Sequence, residues 1–182
     1  MKKKLLIGLG VLVVLIVAFM FWANNRNRTM SPPGSTSAEN NGLNVQVDYS
    51  RPSVKGRVIF GTEAEGALQP HGKYWRLGAN EPTKLTVNKD FTLNGQSVKA
   101  GAYDMYAIPS ASGFEIRLNT GGRFWGYSEP DYSLDILKLQ VPSTSSGSTV
   151  EQYTIEAKSS GNGVKLDFSW ADRQWELMIA AQ

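Results

Sequence analysis

The stretch Val164-Lys165-Leu166-Asp167-Phe168-Ser169-Trp170 decides the fold. Its apolar side chains occupy every second position and its polar ones the positions between. A strand points successive side chains to opposite faces, so this heptapeptide builds one dry face and one wet face. Such a half-buried strand belongs to an antiparallel sheet that covers a core on one side only.

Working outward, the same grammar recurs on both sides. Val150 to Ala157 precedes the heptapeptide across the turn-rich Ser159-Ser160-Gly161-Asn162-Gly163, and Trp175 to Ile179 follows it. Upstream, Leu134 to Val141, Phe114 to Leu118 and Gly101 to Ile108 read as strands, the first and last stopped by Pro142 and Pro109. Phe91 to Leu93 runs into the hairpin dipeptide Asn94-Gly95, and Lys84 to Val87, Val54 to Phe60 and Leu43 to Tyr49 complete the set. In the Val54 strand, Val54, Val58 and Phe60 are assigned to one face and Lys55, Arg57 and Ile59 to the other. A turn of helix fits best near Gly72 to Leu77. Short strands punctuated by turns every ten residues or so predict an all-β domain, an antiparallel β-sandwich or partly closed barrel, over 43–182.

The N-terminus is of another kind. Leu5 to Trp22 reads LLIGLGVLVVLIVAFMFW, without a charge. As a helix it spans about 27 Å, enough to cross a hydrocarbon core. A cleaved signal peptide competes, but the run outlasts an ordinary h-region and Phe19-Met20-Phe21-Trp22 lacks a small-residue cleavage site. The expectation is therefore a tail over 1–4, a transmembrane anchor over 5–22 and a flexible linker over 23–42, whose Asn, Ser, Pro and Gly offer nothing to bury. Lys2, Lys3 and Lys4 set the short tail on the cytoplasmic side. The domain then lies in the periplasm or its equivalent, with the membrane as its partner through the helix.

Charge is read by position. The formal net charge is +3, but Lys2, Lys3, Lys4, Arg26 and Arg28 flank the apolar run, and from Asn44 onward 14 Lys/Arg face 15 Asp/Glu. Nucleic acid is thereby excluded as a partner. There is no cysteine, which removes disulfides, thiolate metal sites, a Cys nucleophile and a lipoprotein anchor.

Three strings, Ser53-Val54-Lys55-Gly56-Arg57, then Trp75-Arg76-Leu77-Gly78-Ala79-Asn80, then Ala100-Gly101-Ala102-Tyr103, resemble a family of exported bacterial proteins, frequent in Bacteroidetes, known as a domain of unknown function. The likeness runs from about Tyr49 to Ile179. It implies an exported β-rich domain and no particular reaction.

Chemistry concentrates between Lys55 and Glu81. Lys55, Arg57, His71, Lys73 and Arg76, against only Glu63 and Glu65, form a cationic segment in which Lys55 and Arg57 suit a carboxylate, phosphate or sulfate. Trp75, Asn80 and Glu81 complete a candidate ligand site with Lys55, Arg57, His71 and Arg76. The alternative is structural: Lys55 and Arg57 paired across a sheet with Asp104 or Glu115, and Arg76 and Asn80 bonded to loop backbone. Phe124, Trp125 and Tyr127, around Gly126, read as packing at the core edge in preference to a stacking platform for a sugar. A single histidine and no G-x-S-x-G elbow give little to a triad, and no metal site or cofactor is expected. Three readings follow. They are a non-catalytic binding module for a small anionic or sugar-like ligand or an envelope protein, a hydrolase or lyase using His71 or Glu81 with Arg57 and Arg76, and a structural subunit of an envelope complex.

Overall fold

The computed structural model of the chain describes residues 2–182. One helix, α1 (Lys2–Met30), precedes twelve strands: β1 (Pro33–Asn40), β2 (Leu43–Ser50), β3 (Phe60–Gly61), β4 (Gln69–Pro70), β5 (Thr83–Val87), β6 (Phe91–Leu93), β7 (Gln96–Val98), β8 (Gly101–Pro109), β9 (Gly113–Asn119), β10 (Asp135–Pro142), β11 (Thr144–Ser160) and β12 (Gly163–Ala181). A six-stranded antiparallel sheet, β1-β2-β5-β8-β9-β10, packs on a four-stranded one, β11-β12-β6-β7. The sheets form a sandwich and do not close into a barrel.

Between them lies an aromatic core. Trp75, Phe114, Tyr153, Trp170 and Trp175 are all buried, with Phe114 and Trp175 from opposite sheets 4.1 Å apart between centroids. Burying such rings is among the larger single contributions to a small β core. The two strands expected from Val164 and Trp175 are one, β12. Its inward positions are even-numbered up to Trp170 and odd-numbered from Ala171 to Ile179. Ala171, at φ 53°, is the irregularity that shifts the phase by one residue.

Three expectations fail. Among 23–42 there is no flexible linker: α1 continues to Met30, and Pro33–Asn40 pairs along its whole length with β2 through a two-residue turn, Asn41 (φ 52°) and Gly42 (φ 76°). Helix propagation is far easier than nucleation, so the polar residues after Trp22 extend a helix already formed until Pro32 stops it. Backbone pairing with an apolar neighbour then orders β1, helped by the Ala157 N–H donating to the Thr36 hydroxyl (2.9 Å) and the Asn40 amide to the Gly163 carbonyl (2.8 Å). Of the expected tail, Met1 lies outside the described residues and Lys2 to Lys4 begin α1.

Val54 to Phe60 is likewise not a strand, and only Phe60–Gly61 pairs, with β4. Lys55 (φ 48°) and Gly56 (φ 68°) form a tight turn, and after it Val58 is exposed and Ile59 buried, the reverse of the faces expected for those two residues, while Val54 is buried as expected. Gly72 to Leu77 forms no helix; Trp75 bridges to Ala107.

Candidate functional site

Three irregular segments meet the end of α1 at one side of the sandwich. The first is the turn Val54 to Arg57, tied to β11 by the Val54 N–H donating to the Glu151 carbonyl (2.8 Å). The second runs from Arg76 to Thr83, with Leu77 (φ 52°) and Asn80 (φ 57°) both in the left-handed region. Non-glycine residues held there cost of order 1–3 kcal/mol each and persist where the surroundings fix them. The fixing bonds are visible: the Trp75 indole N–H donates to the Gly78 carbonyl (3.3 Å) and the Asn80 amide to the Ser31 carbonyl at the end of α1 (3.2 Å).

The third segment, Arg123 to Tyr127, is drawn in by the Gly126 N–H donating to the Asn80 carbonyl (2.9 Å). Gly126 is required by close approach, since a Cβ there would stand 2.9 Å from Arg76 Cδ and 3.0 Å from the Asn80 carbonyl oxygen.

Together these segments enclose an open cavity of about 580 Å³, lined by Lys55, Arg57, Arg76, Asn80, Leu68, Trp125 and Tyr127, and on the helix side by Asn27, Met30 and Ser31. The size is that of small-molecule sites generally, roughly 300–1,000 Å³. Three cations line it and no carboxylate does. Arg57 donates to the Val54 carbonyl (3.0 Å), and Arg76 to the Asn80 carbonyl (3.3 Å) with its guanidinium 5.9 Å from the Tyr127 ring centroid. Among the described residues none of the three cations forms an ion pair. Burial pushes the Arg76 guanidinium below its ordinary value, and the nearby Arg123 charge pushes it further, so positive charge is held there against its own desolvation. Trp170, fully buried beneath the cavity, keeps an indole N–H without a hydrogen-bond partner among the described residues.

Of the residues expected from sequence, Lys55, Arg57, Arg76 and Asn80 are brought together here. Trp75 is not available to a ligand: it is 1% exposed, at the centre of the core. His71 does not line the cavity. Glu81 pairs with Arg28 of α1 and faces a separate cleft of about 390 Å³ that also holds Asp48. The cross-sheet pairing of Lys55 and Arg57 with Asp104 or Glu115 does not occur, because both cations lie in a turn outside the sheets, and those carboxylates pair with Arg123 and Arg117. The bonding of Arg76 and Asn80 to loop backbone does occur. The aromatic loop is not core packing: Phe124 is 89% and Tyr127 77% exposed, and Trp125 and Tyr127 line the cavity.

A second charged cluster lies on the outer face of the six-stranded sheet. Asp135, its side chain almost wholly buried, accepts from the Tyr106 hydroxyl (2.8 Å), Arg117 (3.0 Å) and Asn119 (2.9 Å). Burial, then the bond to Asp135, raises the Tyr106 phenol well above its ordinary value. Burial and the bond to Glu129 push Tyr132 up to about 12. Burial alone would lower the Arg117 guanidinium, but its bonds to Glu115, Tyr106 and Asp135 raise it instead. Beside this cluster, Asp104 accepts from the Arg123 backbone N–H (2.9 Å), and Arg123 also donates to the Tyr74 hydroxyl (2.9 Å). Among the described residues no group of three or more His, Asp or Glu is placed to hold a metal ion.

The family profile described as "Protein of unknown function (DUF2911)" matches residues 31–179. No curated protein and no solved structure matches the chain.

Proposed function

Since the chain belongs to the DUF2911 family of proteins of unknown function, its role has to be read from its own site, and we propose that the domain is a non-catalytic binding module that takes a small anion in the cavity between Lys55, Arg57 and Arg76. The observation that carries this reading is the convergence of three cations without counter-ions on one cavity whose lining holds no acidic side chain. Arg76 is kept unpaired and partly desolvated, which costs stability, and an arriving anion is what offsets that cost. The hydrolase or lyase reading has less support, because neither His71 nor Glu81 lines the cavity.

The reading extends to location. The apolar helix suits a membrane anchor or a signal sequence by length and composition, and the domain leaves Leu6 to Trp22 exposed along it. An uncleaved anchor in the cytoplasmic membrane, with the domain on the outer side, fits the lysines that begin the chain.

Two measurements test these points. Thermal shift of the purified full chain in detergent, over a panel of phosphate, sulfate and small carboxylates, should find a stabilising anion whose effect Arg57→Ala abolishes; silence across the panel removes the small-anion reading. For topology, the absence of native cysteine allows Ser148→Cys, on an exposed stretch, to be probed with a membrane-impermeant maleimide. Labelling in intact spheroplasts is expected, and labelling only after lysis reverses the orientation.

A further inference from the structure

We infer that the anion is the phosphate headgroup of a lipid in the leaflet next to the domain. The inference rests on the anion-binding reading of the same cavity and adds where the anion comes from.

Its basis is depth. Because α1 runs without a break from the apolar run to the cavity, the height of the cavity above the hydrocarbon is set by helix geometry and not by a tether. The apolar run ends at Trp22, while Asn27 and Met30 line the cavity. At ~1.5 Å per residue these two residues stand about 7–12 Å beyond the end of the run. A headgroup layer is about 5–8 Å deep on each side of a hydrocarbon core of ~30 Å, and an ordinary helix tilt of ~20° shortens the rise only slightly. The cavity wall formed by α1 therefore begins at the outer edge of the headgroup layer, just above the lipid phosphates, a gap that long lysine and arginine side chains can span.

The cavity's rim suits that position. Leu68, Trp125 and Tyr127 line it and are all exposed, beside the still more exposed Phe124. Exposed aromatic side chains next to a membrane helix are at home in the interface, where ring and polar edge are both accommodated. Arg26 and Trp22 on α1 mark the same boundary.

Charge selects the class of lipid. The C-terminal end of α1 contributes roughly half a negative charge, which opposes an anion but is outweighed by three full positive charges. The net field favours a headgroup with uncompensated negative charge, such as phosphatidylglycerol, over a zwitterionic one. The other cleft beside α1 has no such preference, since Arg28 there is paired with Glu81.

Native mass spectrometry of the full chain in detergent, with phosphatidylglycerol, phosphatidylcholine, glycerol 3-phosphate or inorganic phosphate added, tests the inference. Phosphatidylglycerol should be retained in preference to the other three. Lys55→Gln/Arg57→Gln, two exposed substitutions, should weaken that retention by at least about tenfold, the equivalent of one lost charge-assisted hydrogen bond. Arg26→Gln, on the helix flank, should leave it unchanged. If the double variant loses its native circular dichroism, Lys55→Gln alone should still show a several-fold loss.

Glycerol 3-phosphate or inorganic phosphate binding as tightly as phosphatidylglycerol, and sensitive to the double variant, overturns the lipid source while leaving the anion site standing. Retention abolished by Arg26→Gln, or undiminished in the double variant, assigns the lipid to the helix surface and likewise overturns it. No response of any phosphate compound to the cavity variants removes both this inference and the binding reading beneath it.

Discussion

The domain carries two groups of cations and treats them in opposite ways. On the outer face of the six-stranded sheet, Arg117 is enclosed by Glu115, Asp135 and the Tyr106 hydroxyl. At the end of α1, Lys55, Arg57 and Arg76 surround a cavity with no carboxylate among them. A buried charge whose partners are all present contributes to holding the fold in one arrangement. Charges left unpaired at an opening contribute little to it and, in the proposed reading, are there for an anion. The difference separates structure from function more sharply than charge density does, because both groups would look alike in a count of arginines and lysines.

Removing one member of the paired group should have the largest effect. Asp135→Ala leaves Arg117, Asn119 and the Tyr106 hydroxyl without their common acceptor, and loss of one partner from a buried pair costs about 3–5 kcal/mol. Urea unfolding followed by tryptophan fluorescence should show that loss, and Asp135→Ala/Arg117→Met should recover part of it. A change below about 1 kcal/mol, the size of an exposed pair, would mean the cluster is no more than a surface ion pair.

Next in size is Gly126→Ala, which changes no charge. A Cβ at that position meets the Asn80 carbonyl at 3.0 Å and the Pro82 nitrogen at 3.1 Å, so the loop must back away from the Arg76 segment. Overpacking of this kind costs about 1–3 kcal/mol. Anion binding should fall along with stability, which distinguishes the cavity's shape from its charge; thermal shift with and without the stabilising anion reads both.

A third test uses pH on the paired side. Tyr106 and Tyr132 hold their protons more tightly folded than unfolded, where a tyrosine titrates near 10.0. Between about pH 10 and 12 the unfolded chain therefore releases protons that the folded chain keeps, and stability falls as pH rises. The stabilisation is complete below pH 10 and is being lost as Tyr132 approaches its own value of about 12. Tyr132→Phe should flatten that decline; an unchanged slope would show that Tyr132 titrates as a free phenol.

How much of this could be read from the sequence depended on what each segment buries. The strands with alternating apolar residues, such as Leu43 to Tyr49 and Val164 to Trp170, were legible because burial imposes the period. β1 was not, since Pro33-Gly-Ser-Thr-Ser-Ala-Glu-Asn40 has no apolar alternation and is ordered by backbone pairing with β2 and by bonds of Thr36 and Asn40 to the β11–β12 hairpin. Its signal was the hairpin dipeptide Asn41-Gly42, the same type that marks the turn at Asn94-Gly95. In the site, Lys55, Arg57, Arg76 and Asn80 were legible by charge and by their place among glycines. The contribution of Asn27, Met30 and Ser31 was hidden behind the supposed linker, and Trp125 and Tyr127 behind the expectation that aromatics go inside. Trp75 erred the other way, because an indole beside an arginine in a glycine-rich string reads as a ligand platform until its 1% exposure is known.

The smallest effect on stability should come from the cavity cations themselves, and it is the most informative half of the comparison. Lys55→Gln removes an exposed, unpaired charge, so unfolding of the free chain should change by no more than about 0.5 kcal/mol in either direction. Arg76→Gln gives up one bond to the Asn80 carbonyl but also relieves the desolvation and the Arg123 repulsion that lower its guanidinium, and these oppose one another. Near-neutral stability combined with lost anion binding is the signature of a residue kept for its ligand. Should either variant cost as much as Asp135→Ala, the cation would be structural, its apparent freedom would be satisfied by the backbone around it, and the contrast between the two groups would dissolve.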